Sequence, residues 1–91
     1  MIITRDEDWL TARIGDELVM MSMSSGDYVG LSETGAAIWE LLETPRDVDS
    51  ICTELQRSFD VSPERCRTTV DAFLLKLSER GAIAGYEPQA A

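Results

Sequence analysis

The fold of this chain is decided at residues 26–35, which read GDYVGLSETG. A short, mostly apolar run, Tyr28–Leu31, leads directly into Ser32 and Thr34, either of which can cap a following helix. This run is the last predicted strand before the chain becomes wholly helical. One edge of such a strand can lack a neighbour, and an unpaired edge either aggregates or captures an extended peptide.

The residues before this segment predict a small antiparallel meander. A strand is expected at 9–14 (WLTARI), followed by a Gly15-Asp16 turn and a second strand at 17–23 (ELVMMSM). A second turn at 24–27 then leads into the third strand. Connections this short cannot cross over a sheet, so neighbouring strands must be antiparallel.

The residues after this segment predict three helices. The first helix ends near Glu43, because Pro45 forbids its continuation. Asp47 is expected to cap the second helix, and Ser62-Pro63 to start the third, which Gly81 ends. The predicted fold class is therefore α+β and winged helix-turn-helix-like, with a three-stranded antiparallel sheet followed by three helices.

Length and composition predict one folded domain over residues 1–91, with an ordered core at about residues 9–84. Apolar residues make up 44% of the chain and follow clear periodicities. No apolar run is long enough to span a membrane, and the N-terminus does not resemble a signal peptide, so the expected location is the cytoplasm. The net charge of −9, from 17 acidic and 8 basic residues, argues against a nucleic-acid partner.

The residues offer no catalytic constellation. The chain has no histidine, which removes Ser–His and Cys–His nucleophile pairs and histidine metal sites. Cys52 and Cys66 are too few for a zinc site and are expected to be buried thiols, with a disulfide as the alternative. No glycine-rich phosphate loop is present. We therefore expect no enzyme activity, no cofactor and no metal.

The candidate site is a groove between the third strand and the third helix. An added peptide would pair with the strand and rest alternate side chains against an apolar helix wall. Tyr28 is either an interface residue or an ordinary half-exposed strand tyrosine, and Gly30 either admits a second backbone or relieves packing against Trp39. The candidate peptide-binding residues are Asp27, Tyr28, Val29, Gly30, Leu31, Val70, Phe73, Leu74 and Leu77.

Two other interpretations stay open. The helix-turn-helix arrangement suggests a small winged-helix DNA-binding transcriptional regulator. The third helix does carry cations, which are Arg65, Arg67, Lys76 and Arg80. They alternate with Glu64, Asp71 and Glu79, however, in the manner of a solvated helix face. A homodimer would also form if the free strand edge paired with its own copy.

The order and separation of three segments resemble a known family. These segments are the strand-into-helix run at 28–42 (YVGLSETGAAIWELL), the second helix at 46–55 (RDVDSICTEL) and the third-helix run at 70–77 (VDAFLLKL), closed by 81–83. Over about residues 9–84 the chain is similar to the PqqD family, the stand-alone recognition elements for ribosomally synthesised and modified peptides, or RiPPs. The family includes lasso-peptide leader-binding proteins. One difference lies at 43–46 (ETPR), where many relatives have a Gly-Arg or Gly-Lys turn.

The resemblance implies a non-catalytic peptide chaperone of natural product biosynthesis that binds the leader segment of a ribosomally synthesised precursor peptide. The leader would dock as an extra strand beside the third strand and present the core peptide to a modifying enzyme. A radical SAM protein, a leader peptidase or a cyclase is an enzyme of this kind. On this chain the docking strand would be Asp27–Leu31, and the helix wall would be Val70, Phe73, Leu74 and Leu77.

Overall fold

The computed structural model describes residues 1–87, so residues 88–91 of the predicted domain lie outside the described part. Along the chain the elements are β1 (Thr4–Arg5), β2 (Trp9–Ile14), β3 (Glu17–Ser22), β4 (Tyr28–Leu31), α1 (Glu33–Leu41), α2 (Val48–Ser58), α3 (Pro63–Glu79) and β5 (Ile83–Ala84). The predicted meander is present as an antiparallel sheet in the order β2-β3-β4, and the three predicted helices follow it. The α+β fold is therefore confirmed.

Local sequence explains where each helix begins. Ser32, Asp47 and Ser62 are the N-caps of α1, α2 and α3, and each side-chain oxygen accepts a hydrogen bond from the backbone N–H three residues later. Pro63 occupies the first turn of α3, where no backbone N–H is needed. Gly81, with φ of 73°, adopts the left-handed conformation just after α3. The predicted caps Asp47 and Ser62 are confirmed, and of the two candidates for the first helix the structure uses Ser32 rather than Thr34.

The sequence pattern does not predict a second, two-stranded sheet, which the structure contains. In this ribbon β1 pairs antiparallel with β5, and Arg5 lies opposite Ile83. The Asp6 N–H also donates to the Ala82 carbonyl at 2.9 Å. The ribbon therefore joins the start of the chain to the end of α3 and fixes that end of the helix beside the sheet.

The core lies between the inner face of the three-stranded sheet and the helices. Trp39 is fully buried, and its indole N–H donates to the Thr11 hydroxyl on β2 at 2.7 Å. Arg5 lies over the Trp39 ring, 4.4 Å from its centroid, and donates to the Trp39 carbonyl. The fully buried side chains that α3 contributes include Val70, Leu74 and Leu77. These contacts fix α1 against β1 and β2, and the buried residues of α3 belong to the same core.

Both cysteines are free thiols, on the neighbouring helices α2 and α3. Cys66 is buried, Cys52 is half-buried, and the Cys66 sulfur lies 3.8 Å from the Cys52 carbonyl oxygen. The prediction of thiols rather than a disulfide is confirmed. Burial, with smaller contributions from neighbours that include Cys66, raises the pKa of the Cys52 thiol to about 11. At neutral pH this thiol is therefore protonated and a poor nucleophile.

Candidate functional site

β4 is an edge strand of the three-stranded sheet. On one side it pairs with β3, where Val29 lies opposite Met20 and Gly30 opposite Val19. On its other side no strand within residues 1–87 pairs with it. The unpaired edge expected from the sequence is thus present in the described part of the chain.

The register shows which backbone groups of β4 face this free edge. The Ser22 N–H donates to the Asp27 carbonyl at 2.8 Å, so these two residues form a hydrogen-bonded pair of the antiparallel ladder. Such pairs alternate along a strand, so Val29 also directs its N–H and C=O toward β3. The N–H and C=O groups of Tyr28 and Gly30 therefore face away from β3. They offer a neighbouring strand alternating donors and acceptors.

The side chains of β4 alternate between the two faces of the sheet. Val29 is buried in the core, and Leu31 packs against the core while half-buried. Tyr28 is 66% exposed and lies on the opposite face. A Cβ on Gly30 would meet no heavy atom within 4 Å, so the alternative that Gly30 relieves packing against Trp39 is wrong. The outer face of the sheet is therefore open at Gly30.

The turn before β4 is held by Asp8. Its carboxylate accepts hydrogen bonds from the Ser22 hydroxyl, from the Ser24 hydroxyl at 2.8 Å and from the Ser24 N–H at 2.9 Å. The bonds from Ser22 and then Ser24 hold the pKa of Asp8 below its ordinary value. No local motif links Asp8 to Ser24, which follows 16 residues later, so the sequence pattern does not predict this contact. The carboxylate positions the start of β4.

The residues of α3 that are predicted to form the helix wall differ in their exposure. Phe73 is half-buried, and its ring packs so close to the first turn of α1 that a Cβ on Gly35 would lie 3.1 Å from Phe73 Cε1. Gly35 therefore lets the ring approach the segment that directly follows β4. The other predicted wall residues have no exposed surface, and they are Val70, Leu74 and Leu77. Of the four predicted wall residues, Phe73 alone therefore has surface that a peptide can reach.

The two ends of β4 lie near different parts of α3. The start of β4 lies near the end of α3, because Asp8 holds the turn before β4 while Asp6 bonds to Ala82 just after α3. The end of β4 leads to Gly35, which contacts Phe73 in the middle of α3. Farther toward the start of α3 lies an apolar cleft of about 80 Å³, lined by Thr34, Leu55, Phe59, Val61, Cys66 and Thr69.

The described residues bring together hydrogen-bonding and apolar groups rather than reactive ones. Within residues 1–87 no group of three or more His, Cys, Asp or Glu side chains is arranged to hold a metal ion. No helix in the same part of the chain has the length and apolarity needed to cross a bilayer. They include the unpaired edge of β4 and the partly exposed side chains of Leu31 and Phe73.

Solved structures that resemble this chain include two peptide complexes. One is TbiB1 in complex with the TbiA(beta) leader peptide. TbiB1 is 26% identical to this chain with a TM-score of 0.81, and the match covers 92% of this chain and 98% of TbiB1. Another is lasso peptide synthetase B1 complexed with the leader peptide, with 20% identity and a TM-score of 0.76, covering 91% of this chain and 98% of that chain. At 20% identity the second likeness shows the fold alone. A search of the curated proteins gave no match.

The comparison with protein families confirms the resemblance seen in the sequence. The family described as coenzyme PQQ synthesis protein D (PqqD) matches residues 17–83. This range contains β3, β4 and all three helices, and thus both walls of the groove. It also covers well over half of the chain. We conclude that the chain belongs to the PqqD family.

Proposed function

We propose that this chain binds the leader segment of a ribosomally synthesised precursor peptide and has no catalytic activity of its own. The observation that carries the proposal is the free edge of β4, where the backbone groups of Tyr28 and Gly30 face away from β3. A strand added at such an edge gains main-chain hydrogen bonds whatever its side chains are. The similar protein TbiB1 forms a complex with the TbiA(beta) leader peptide, which supports a leader peptide as the ligand of this chain.

Side chains of the docked peptide would provide selectivity. Alternate residues of a strand project to the same face, so every second residue of the peptide would lie over the groove. There it would meet Phe73 and Leu31, both of which keep exposed surface. The intervening residues would extend the outer face of the sheet beside Tyr28. We therefore expect an apolar residue in the peptide at the position that faces Phe73.

The bound leader would hold the rest of the precursor near a modifying enzyme. A radical SAM protein, a leader peptidase or a cyclase fits this role. We propose that residues 1–91 act as one such domain in the cytoplasm, where the precursor is translated. The alternative of a DNA-binding regulator gains no support from the comparisons, and the net charge of −9 opposes phosphate binding.

An amide-exchange experiment tests strand addition. The isotope-labelled chain is titrated with the synthetic leader of the precursor encoded beside it, with the TbiA(beta) leader as a second probe. The amides of Tyr28 and Gly30 should become protected from exchange because they gain acceptors, while Val29, already bonded to β3, should change little. Protection of Thr11 and Arg13 instead would place the peptide on the free edge of β2. Binding without new protection at either edge would contradict the proposal.

A further inference from the structure

Half of the eight cationic side chains are held by contacts within the protein. Those held are Arg5 on the Trp39 ring, Arg46 on the Leu41 carbonyl, and Arg57 and Arg67 in ion pairs. The other four are Arg13, Arg65, Lys76 and Arg80. Within residues 1–87 none of these four forms an ion pair, and all four are exposed. They are the cations available to a partner.

Three of the four available cations lie along one side of α3. Residues 65, 69, 73, 76 and 80 are separated by steps of four, four, three and four, which return to the same side of an α-helix. We call this row the α3 flank, and it consists of Arg65, Thr69, Phe73, Lys76 and Arg80. Three available cations of α3 therefore share one side of the helix with Phe73, and Glu79 lies beside the last two of them.

Contacts of the middle of the α3 flank show that it faces the groove. Phe73 packs against Gly35, and Thr69 lines the same cleft as Thr34. Both partners belong to the first turn of α1, immediately after β4. Because the start of β4 lies near the end of α3, the last residues of the flank, Lys76 and Arg80, lie alongside β4. A strand added to β4 would therefore lie beside the last two cations of the flank.

We propose that Lys76 and Arg80 select peptides with two acidic side chains at alternate positions, facing α3. This inference rests on the proposed function and names the chemistry of its ligand. Four residues along a helix span about 6 Å, and two residues along a strand span about 6.6 Å. Carboxylates at positions i and i+2 of the docked strand therefore match the spacing of the two cations and share the face that meets them.

The charges around the two cations limit where an acidic peptide can bind. Lys76, Glu79 and Arg80 line one shallow depression on α3. Glu79 forms no ion pair with either cation, so both stay available to a peptide, although the Glu79 carboxylate itself repels an acidic ligand. The protein as a whole carries a net charge of −9 and repels acidic ligands elsewhere. An acidic peptide is thus attracted mainly along the α3 flank.

Selection from random peptides of about 12 residues, long enough to cover a short strand, tests this inference without a known leader. Three proteins are compared: the natural chain, Lys76→Glu/Arg80→Glu, and Arg13→Glu/Arg57→Glu as a control with the same change in net charge. The natural chain and the control should enrich acidic pairs spaced i, i+2. The Lys76→Glu/Arg80→Glu variant should lose this preference and favour Lys or Arg there. All four substituted side chains are exposed, and thermal melts check that the variants fold.

Titration of one enriched peptide gives the magnitude. Changing the two acidic residues of the peptide to their amides should weaken its binding to the natural chain about tenfold. The same change should not weaken its binding to the Lys76→Glu/Arg80→Glu variant. Enrichment without an acidic preference, or the same preference in that variant, would overturn the inference and leave strand addition standing. Failure of every protein to enrich peptides would contradict the proposed function itself. If the natural chain bound random duplex DNA and the Lys76→Glu/Arg80→Glu variant did not, the inference would be overturned in favour of DNA as the ligand.

Discussion

Replacing Gly30 with proline should block peptide binding while leaving the sheet intact. The Gly30 N–H faces the free edge of β4, so proline removes a donor that an added strand needs and none that β3 uses. A Cβ at this position enters open space, with no heavy atom within 4 Å. Proline is tolerated on an edge strand when its missing N–H would face solvent.

The expected loss follows from the contacts at this one amide. A backbone hydrogen bond contributes about 0.5–1.5 kcal/mol net, and an acceptor left buried without a donor costs about 1–3 kcal/mol. The peptide carbonyl opposite Gly30 would be such an acceptor. A combined loss of roughly 2 kcal/mol corresponds to about 30-fold weaker binding at 1.4 kcal/mol per factor of ten. The proline ring would also obstruct the approaching backbone and would increase this loss.

Isothermal titration calorimetry with the synthetic leader measures the effect, and Gly30→Ala is the matched control. Alanine keeps the N–H and adds only a methyl group in open space, so its affinity should stay within about twofold of the natural chain. Circular dichroism and thermal melts establish that both variants are folded. A folded Gly30→Pro variant with undiminished affinity would refute pairing at β4.

Three further predictions follow from the structure. Phe73→Ala should weaken leader binding by more than it destabilises the fold. Truncating a fully buried aromatic costs about 3–5 kcal/mol in folding, and the cost here should be smaller because Phe73 is half-buried. Calorimetry on the folded variant measures the affinity, and an unchanged affinity would remove Phe73 from the site. Asp8→Asn should reduce the free energy of unfolding at neutral pH and make it fall less steeply as the pH is lowered. Folding lowers the pKa of Asp8, so the stabilisation by its carboxylate is lost as the pH falls through that lowered value. Free energies of unfolding that depend on pH in the same way for both proteins would contradict this. Gly85→Ala should destabilise the protein by more than about 2 kcal/mol, because Gly85 has φ of 86° and a Cβ there would lie 2.0 Å from the Ile2 carbonyl oxygen. Gly81→Ala is its control, with positive φ but open space, and should cost only about 1–2 kcal/mol in thermal melts; equal losses would show that the Ile2 contact is unimportant.

Short-range chemistry accounts for most of what the sequence predicts about this fold. A turn such as Gly15-Asp16 or a cap such as Asp47 acts within a few residues of itself, so its effect is visible in the local pattern. The β1–β5 ribbon has no such signal. Its strands are two residues long, and its pairs, such as Thr4 with Ala84, join opposite ends of the chain. Only tertiary packing brings them together.

The site shows the same division between local pattern and packing. Alternation along β4 predicts correctly that it is a strand, but its free edge depends on the order of the whole sheet. Phe73 and Leu74 are adjacent and both apolar, so the helical pattern places them on one broad stripe. In the structure Leu74 is fully buried while Phe73 turns toward Gly35 and the groove. The packing of α1 against α3 determines which of the two side chains is buried, and the spacing of apolar residues within α3 does not predict it.

The β1–β5 ribbon also makes the described chain almost a closed ring. The backbone N–H of Glu87 lies 3.0 Å from the sulfur of Met1, so residues 1 and 87 meet at one point. A short connector could join them, and new ends could be opened at the exposed residues 43–45 without cutting a helix or strand. By the same geometry, residues 1–87 could be inserted into a surface loop of a carrier protein, because entry and exit share one location.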